Sequence, residues 1–350
     1  MNGTLTSSYS NGWAVLGWPR WNLGRTPVFD WLFIVLGGIP LFLPFLFFMG
    51  ESGLSKSAPV YWYFWMNAVI SAPHVYSTYC RLGRKIGEGK VTGWMGFPCY
   101  ALCVGLLALA SVKGFFLQAM TGVNVWQSVH YVRQVYGVSR LYGRGEFADA
   151  RVRRLSYYAF HLSMPLFVLG RWHTLYTVWG GRPSTTIIPV HFSATVMTTC
   201  WVAGCVAVVA GIVSEVLRYQ RSMNGYDPTL AVILGVFYTI HAFGFLSVKY
   251  YQRGFFAVTI FHAIQYLGLV WTLERHQALG WIHQALSSIP NAVSFPLFWG
   301  IIYVLGHAFE TYLLPSSNRL WPMLATVALA AVSAHHYAVD TVMWRRQAGL

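Results

Sequence analysis

The sequence predicts an all-α protein, a polytopic membrane bundle of about ten transmembrane helices. Of its 350 residues, 56% are hydrophobic and only 10% are charged, whereas soluble domains carry about 25% charged residues. The mean hydropathy is +0.48. The charged residues lie in short basic clusters between long apolar stretches. This composition argues against a soluble globular enzyme, a disordered chain and a coiled coil.

Ten stretches of the chain reach the length of about 20 apolar residues that a membrane-spanning helix needs. We predict spans at 27–50, 59–80, 93–112, 115–141, 157–180, 190–217, 229–250, 254–275, 293–314 and 321–344. The breaks at Lys113 and at 251–253 predict tight turns or re-entrant segments. Because the loops are short, we expect one membrane domain over 1–350, with residues 1–26 as a polar cytoplasmic segment.

The distribution of basic residues predicts that both termini lie in the cytoplasm. With that orientation, sixteen Lys and Arg residues fall on the cytoplasmic side and six on the external side. Membrane proteins keep an excess of Lys and Arg in their cytoplasmic loops. The net charge of +14 therefore needs no nucleic-acid partner, and we expect an integral protein of a bacterial inner (cytoplasmic) membrane.

Twelve histidines are present, and nine or ten of them fall inside the predicted spans. Ionisable residues in spans are rare and usually face the interior of the bundle. Five histidines lie six to thirteen residues from the cytoplasmic ends of their spans, which places them within about 10 Å of one another along the membrane normal. We predict that these side chains converge on one metal site: His74, His130, His241, His262 and His336.

The second and tenth spans add polar neighbours to these histidines. His74 follows Pro73 and shares a helix face with Thr78, and Tyr76 of the same segment is a candidate catalytic residue. In the tenth span, His336 and Asp340 are four residues apart on one face, which suits a histidine ligand with a carboxylate partner. His335 is a further candidate ligand, although it points about 100° away from His336.

Three glutamines accompany the histidines of the fourth and eighth spans. Gln127 and Gln134 lie on the same stripe as His130, and Gln265 lies beside His262. Metal-bound histidines usually donate their second ring N–H to an amide, carbonyl or carboxylate. We therefore expect these glutamines to orient the ligands, the alternative being hydrogen bonding between helices without a role in the site.

Two short segments resemble motifs of a known protein class. They are the Pro73–His74 dipeptide of an early span and His336–Asp340 followed by Arg345 at the end of the last span. This class is the Brp/Blh-type carotene dioxygenases, which are histidine-rich integral-membrane proteins. The resemblance covers two short stretches, and Ser77 or Thr78 stands where the family has a carboxylate. It implies an intramembrane iron centre that histidines ligate.

These patterns predict a histidine-ligated non-haem iron enzyme, with mono- and dinuclear centres both open and copper or zinc not excluded. We expect an O2-dependent oxygenase or desaturase that acts on a lipophilic substrate, with membrane lipids and an electron donor as further partners. One alternative is a proton or metal-ion transporter with an intramembrane histidine and carboxylate relay. Another is a b-type haem protein, which the histidine spacing disfavours.

Overall fold

The computed structural model describes residues 27–39, 67–142, 149–172, 188, 190–221, 229–242, 251–274, 289–313 and 320–347. Within these ranges every regular element is helical and no strand occurs. The predicted all-α class is therefore confirmed for the part of the chain that the structure describes.

Nine helices of 14 or more residues occur in the described ranges. They are α1 (Ala72–Gly87), α2 (Phe97–Val112), α3 (Phe116–Tyr142), α4 (Ala150–Gly170), α5 (Ala194–Arg221), α6 (Thr229–Ala242), α7 (Tyr251–Glu274), α8 (Asn291–Leu313) and α9 (Leu320–Gln347). Shorter helical segments lie at Pro27–Phe29, Asp30–Val35, Asn67–Ser71 and Gly93–Met95.

Each of the ten predicted spans overlaps a helical segment of the structure, although two boundaries differ clearly. Helix α1 continues to Gly87, and α4 begins at Ala150, so both helices extend into basic segments beyond the apolar stretches used for the prediction. Parts of the predicted spans lie outside the described residues, namely 40–50, 59–66, 173–180, 243–250, 275 and 314.

The predicted break at Lys113 is a tight turn between α2 and α3. Gly114 has φ +77°, and its N–H donates to the Ser111 carbonyl at 3.1 Å while the Phe115 N–H donates to Ala110 at 2.7 Å. This pair of bonds is the Schellman motif, which ends a helix at a residue in the left-handed conformation. A glycine is favoured there because it has no Cβ.

Helices α4 and α5 pack against each other along much of their length. Gly204 permits a close approach, since a Cβ there would come within 3.0 Å of the Phe167 ring. Asp149 caps the start of α4 by accepting from the Arg151 N–H at 2.8 Å, and it also pairs with Arg221 near the end of α5. Hydrogen bonding from that backbone N–H, aided by Arg221, lowers the pKa of Asp149 below its usual value.

The outer faces of α2 and α5 carry exposed apolar side chains. On α2, Leu106 is 58% exposed and Val112 is 74% exposed. On α5, Val206 and Val209 are 63% and 58% exposed. Soluble proteins seldom expose large contiguous apolar patches, so these faces require a non-aqueous neighbour or a protein partner.

By length and composition, α5 is able to cross a membrane, with a mean hydropathy of 2.2 over its most apolar 18 residues. It is the one such helix within the described ranges. Shorter apolar segments occur in α2, α6, α7 and α8. The chain therefore contains a helix suited to a membrane.

Candidate metal centre

Four of the predicted histidines meet in the interior of the bundle, each from a different helix. His74 comes from α1, His130 from α3, His262 from α7 and His336 from α9, and one ring nitrogen from each lies within 4.8 Å of all the others. Their exposures range from 0% to 4%. The predicted convergence of imidazoles from separate helices is confirmed for these four residues.

The four rings form a closed cycle. His130 lies 4.7 Å from both His262 and His336 between ring centroids, and His74 lies 4.9 Å from the same two rings. Neighbouring rings are inclined at 70° to 86°. Four mutually inclined imidazoles can therefore direct one nitrogen each to a common point.

Two of the four histidines have Nε2 available for a metal ion. The Nδ1 atoms of His74 and His336 are engaged with the Ser71 carbonyl and with Thr78 Oγ1. Their Nε2 atoms have no hydrogen-bond partner among the described residues. In His130 and His262, the two Nε2 atoms face each other at 3.1 Å, and the Nδ1 atom of His262 has no hydrogen-bond partner among the described residues.

The local sequence of α1 explains how its histidine is held. The helix buries His74, Ser77, Thr78 and Arg81, which are spaced as one face of an α-helix. Pro73 lies in the first turn, where a missing N–H costs nothing. The engagement of His74 Nδ1 by the carbonyl of Ser71 fixes the ring and turns Nε2 towards the other helices.

Asp340 is the carboxylate of the centre. It is fully buried, and its Oδ2 atom lies 3.9 Å from His130 Nε2 and 4.0 Å from His336 Nε2. Its other oxygen, Oδ1, accepts a hydrogen bond from the Tyr266 hydroxyl at 2.8 Å. One carboxylate oxygen therefore faces the imidazoles and the other is held by a phenol.

Two residues complete a hydrogen-bonded chain beside the histidines. Thr78 Oγ1 lies 2.7 Å from His336 Nδ1 and donates to the Tyr266 hydroxyl at 2.8 Å. Thr78 is 0% exposed and so is Tyr266. The chain thus joins a ligand histidine to the carboxylate through two hydroxyl groups.

The donor set fits a single metal ion. With metal–nitrogen bonds of about 2.1 Å, two nitrogens 3.1 Å apart subtend an angle of about 95° at the metal. Two nitrogens bound at about 2.1 Å to one ion lie at most about 4.2 Å apart, so nitrogens within 4.8 Å of one another need only a small closure to hold it. A bound ion would also compensate the buried Nε2 atoms of His74 and His336, which lack a hydrogen-bond partner among the described residues.

The prediction that His335 joins the ligands is wrong. Its Nε2 donates to the Met95 carbonyl at 2.7 Å, and its Nδ1 lies 3.2 Å from the Tyr79 hydroxyl. The two ring nitrogens therefore connect α9 to the Gly93–Met95 segment and to α1. The physical reason is the rotation of about 100° per residue, which turns adjacent side chains to different neighbours.

His241 and Tyr76 also lie outside the group of four. The His241 Nδ1 bonds to the Phe237 carbonyl at 2.7 Å, and its ring lies 3.7 Å from the Phe237 ring. Tyr76 packs against Gly306, where a Cβ would lie 2.2 Å from the tyrosine ring. It lines an apolar cleft of about 470 Å³ on the other face of α1 from His74.

The glutamines bond to backbone and to other side chains instead of to the ligand rings. Gln134 donates to the His262 carbonyl at 3.0 Å and lies 3.3 Å from Gln265 Oε1. Gln265 donates to the Ile34 carbonyl at 2.8 Å, and Gln127 lies 2.5 Å from the Tyr131 hydroxyl. The expected role as ring-orienting partners is thus corrected to hydrogen bonding between helices and along α3.

Sequence reasoning missed Thr78 and Tyr266 as members of the site, although a signal for them exists. Each of the four converging histidines has a polar residue four positions later: Thr78, Gln134, Tyr266 and Asp340. The residues four positions after His241 and His335 are Phe245 and Val339. A polar residue at i+4 therefore distinguishes the four histidines of the centre from His241 and His335, which lie outside it.

Comparisons of this chain with protein-family models, with curated proteins and with solved structures gave no match. The resemblance to the Brp/Blh-type dioxygenases therefore stays a prediction from two short motifs.

Proposed function

We propose that this protein is an integral-membrane enzyme in which a single non-haem iron ion, held by four histidines, serves the O2-dependent oxidation of a lipophilic substrate. The observation that carries the proposal is the convergence of His74, His130, His262 and His336 from four helices in the interior. His74 and His336 belong to the two motifs that resemble those of Brp/Blh-type carotene dioxygenases, and this favours an oxygenase reaction.

The membrane location is supported by the distribution of polarity. The polar centre is enclosed by helices whose outer faces carry exposed apolar side chains, as on α2 and α5. In water this arrangement is unfavourable, whereas in lipid it is the expected one. The excess of Lys and Arg on predicted cytoplasmic segments gives the orientation, and a bacterial inner membrane is part of the proposal.

The order of contacts along the helices also supports the ten-span topology. His74, His262 and His336 meet at one level, and Thr78, Tyr266 and Asp340 meet four residues further on. Along all three helices the histidine comes before the residue of the second level, so α1, α7 and α9 run in the same direction. In the predicted topology these are the second, eighth and tenth spans, which all run towards the cytoplasm.

The residues around the ion suit oxidation chemistry in a dry cavity. A bound iron ion with open coordination positions supplies the binding and activation of O2. The four imidazoles would hold the ion, and Asp340 would present Oδ2 as a further ligand or as a proton acceptor beside it. The rings of Tyr131 and Tyr337 pack against His262 and His130 and exclude water, so an apolar substrate from the bilayer is favoured.

The reaction class determines whether the enzyme needs an electron donor. A dioxygenase inserts both oxygen atoms and needs no external reductant. A monooxygenase or a desaturase needs two electrons per turnover, and a membrane electron donor is then required. Membrane lipids surround the apolar faces in either case.

The alternative of an ion transporter requires polar residues along a continuous path across the membrane. In the described part of the chain, the ligand nitrogens instead gather within 4.8 Å of one another. A tight group of four imidazoles retains an ion, which favours a resident cofactor over a transported one.

Metal analysis of detergent-purified protein tests the proposal. We expect about one iron ion per chain and no haem Soret band. Purified, metal-free protein that conducts protons or metal ions in liposomes would contradict the enzyme and support the transporter.

A further inference from the structure

We infer that Tyr266 and Thr78 are positioning residues that fix how Asp340 and His336 meet the metal. This inference rests on the proposed function, because it assigns roles within the same centre. Both residues contact the metal site through other side chains: Thr78 through His336, and Tyr266 through Asp340.

The direction of each hydrogen bond between His336 and Asp340 follows from the position of the proton on the His336 ring. If His336 binds a metal through Nε2, its neutral ring carries the proton on Nδ1, and Nδ1–H donates to Thr78 Oγ1 at 2.7 Å. The Thr78 hydroxyl proton is then directed to Tyr266, 2.8 Å away. The Tyr266 proton is directed in turn to Asp340 Oδ1 at 2.8 Å.

The consequence for Asp340 is a fixed orientation. Because Oδ1 is held by the phenol, Oδ2 is the oxygen that lies 3.9–4.0 Å from the Nε2 atoms of His130 and His336. A carboxylate on a flexible rotamer would divide its time between orientations, and each would change the ligand field of the ion. Such supporting partners typically contribute 10–100-fold to metal affinity.

A buried tyrosine hydroxyl usually finds a partner whatever its role, so a purely structural function of Tyr266 has to be separated from positioning. Tyr266→Phe removes the hydroxyl and keeps the ring, which packs 5.7 Å from His336 and 5.8 Å from His74 between centroids. The fold should therefore be retained while Asp340 loses its donor.

The experiment loads purified full-length protein with Co(II) and records its visible absorption spectrum and its dissociation constant. The spectrum depends on the number and geometry of the ligands, which a structural role would not alter. We expect Tyr266→Phe to raise the Co(II) dissociation constant about tenfold. We also expect its absorption bands to shift in the same direction as those of Asp340→Asn.

Two further variants make the outcome decisive. Thr78→Val should shift the spectrum as well, because it removes the acceptor of His336 Nδ1–H, and it serves in place of Tyr266→Phe if that variant does not fold. Tyr337→Phe is the matched control: Tyr337 is a buried tyrosine whose ring lies 4.7 Å from His130 between centroids, and it should leave the spectrum unchanged.

The results distinguish the inference from the proposed function. If the wild type binds Co(II) and Asp340→Asn shifts the bands, but Tyr266→Phe and Thr78→Val match the wild type, then positioning by these residues is wrong and the metal site stands. If the wild type binds neither Co(II) nor iron, the proposed function fails and the inference fails with it.

Discussion

Replacing His262 with alanine should abolish metal retention while the protein still folds. His262 is 0% exposed, and its Nε2 lies 3.1 Å from that of His130. Its ring also lies 4.9 Å from that of His74 between centroids. The substitution therefore removes one of four donors and opens the cycle of rings at the pair of nitrogens that lie 3.1 Å apart.

The expected magnitude follows from the position of the residue. Loss of a side chain that only supports a ligand weakens metal binding 10–100-fold. Loss of the ligand itself should exceed the upper end of that range, so we expect a decrease of more than about 100-fold, or about 2.7 kcal/mol. An ion bound that weakly is lost during purification and desalting.

The assay is the iron content per chain of detergent-purified protein, measured by elemental analysis beside the thermal unfolding of the same sample. His130→Ala should give the same loss as His262→Ala. The matched control is His241→Ala, because His241 is also a buried histidine, 2% exposed, and lies outside the group of four. It should cost similar stability and retain the iron.

Two results would refute this reasoning. If His262→Ala and His130→Ala both keep the iron content of the wild type, the four rings are not the ligands. If His241→Ala loses iron as completely as His262→Ala, the loss reflects damage to the fold. His262→Gln, which fills most of the vacated space, separates a missing ligand from a cavity.

Three further predictions concern the fold around the centre. Gly306→Ala places a Cβ 2.2 Å from the Tyr76 ring and should destabilise the protein by about 1–3 kcal/mol. The control is Gly300→Ala on the same helix, which meets nothing within 4 Å and should not lower the melting temperature. Gln134→Leu removes two amide contacts and should cost about 1–3 kcal/mol in thermal unfolding, with the iron content unchanged. In a cysteine-free background, Lys90→Cys should react with impermeant thiol reagents only from the cytoplasmic side and Lys113→Cys only from the outside; labelling of both from one side would contradict the predicted topology.

The helices were predictable from the sequence because their apolar stretches have the length of a span and end at turn residues. The break between α2 and α3 is an example, since Lys113 and Gly114 interrupt two apolar runs. The ends of α1 and α4 were less predictable. Their last or first turns are basic and polar, and hydropathy alone does not distinguish a polar helical turn from a loop.

The depth of the histidines was predictable, whereas their rotation about the helix axes was not. His241 lies at a similar predicted depth to His130 and His262, but in the structure its ring packs on Phe237. Depth follows from counting residues at 1.5 Å each. Rotation depends on how each helix packs against its neighbours, and a single sequence without relatives carries little information about it.

The i+4 pattern supplies part of the missing information, and it follows from the direction of the helices. On an α-helix the residue at i+4 lies about 6 Å further along the axis, on nearly the same face. If the ligand helices all run towards the cytoplasm, their i+4 residues form a second layer on the cytoplasmic side of the four histidines. Thr78, Tyr266 and Asp340 do contact one another in this way.

An antiparallel ligand helix would break this arrangement, because its i+4 residue would lie on the opposite side of the histidines. The parallel order of α1, α7 and α9 therefore requires that the chain cross the bundle an odd number of times between one of these three helices and the next. The ten-span topology meets this requirement, since it places five crossings between the second and eighth spans and one between the eighth and tenth. The hydrogen-bonded layer and the alternation of basic loops are thus two independent consequences of one topology, and a reversed orientation of α1, α7 or α9 would contradict both.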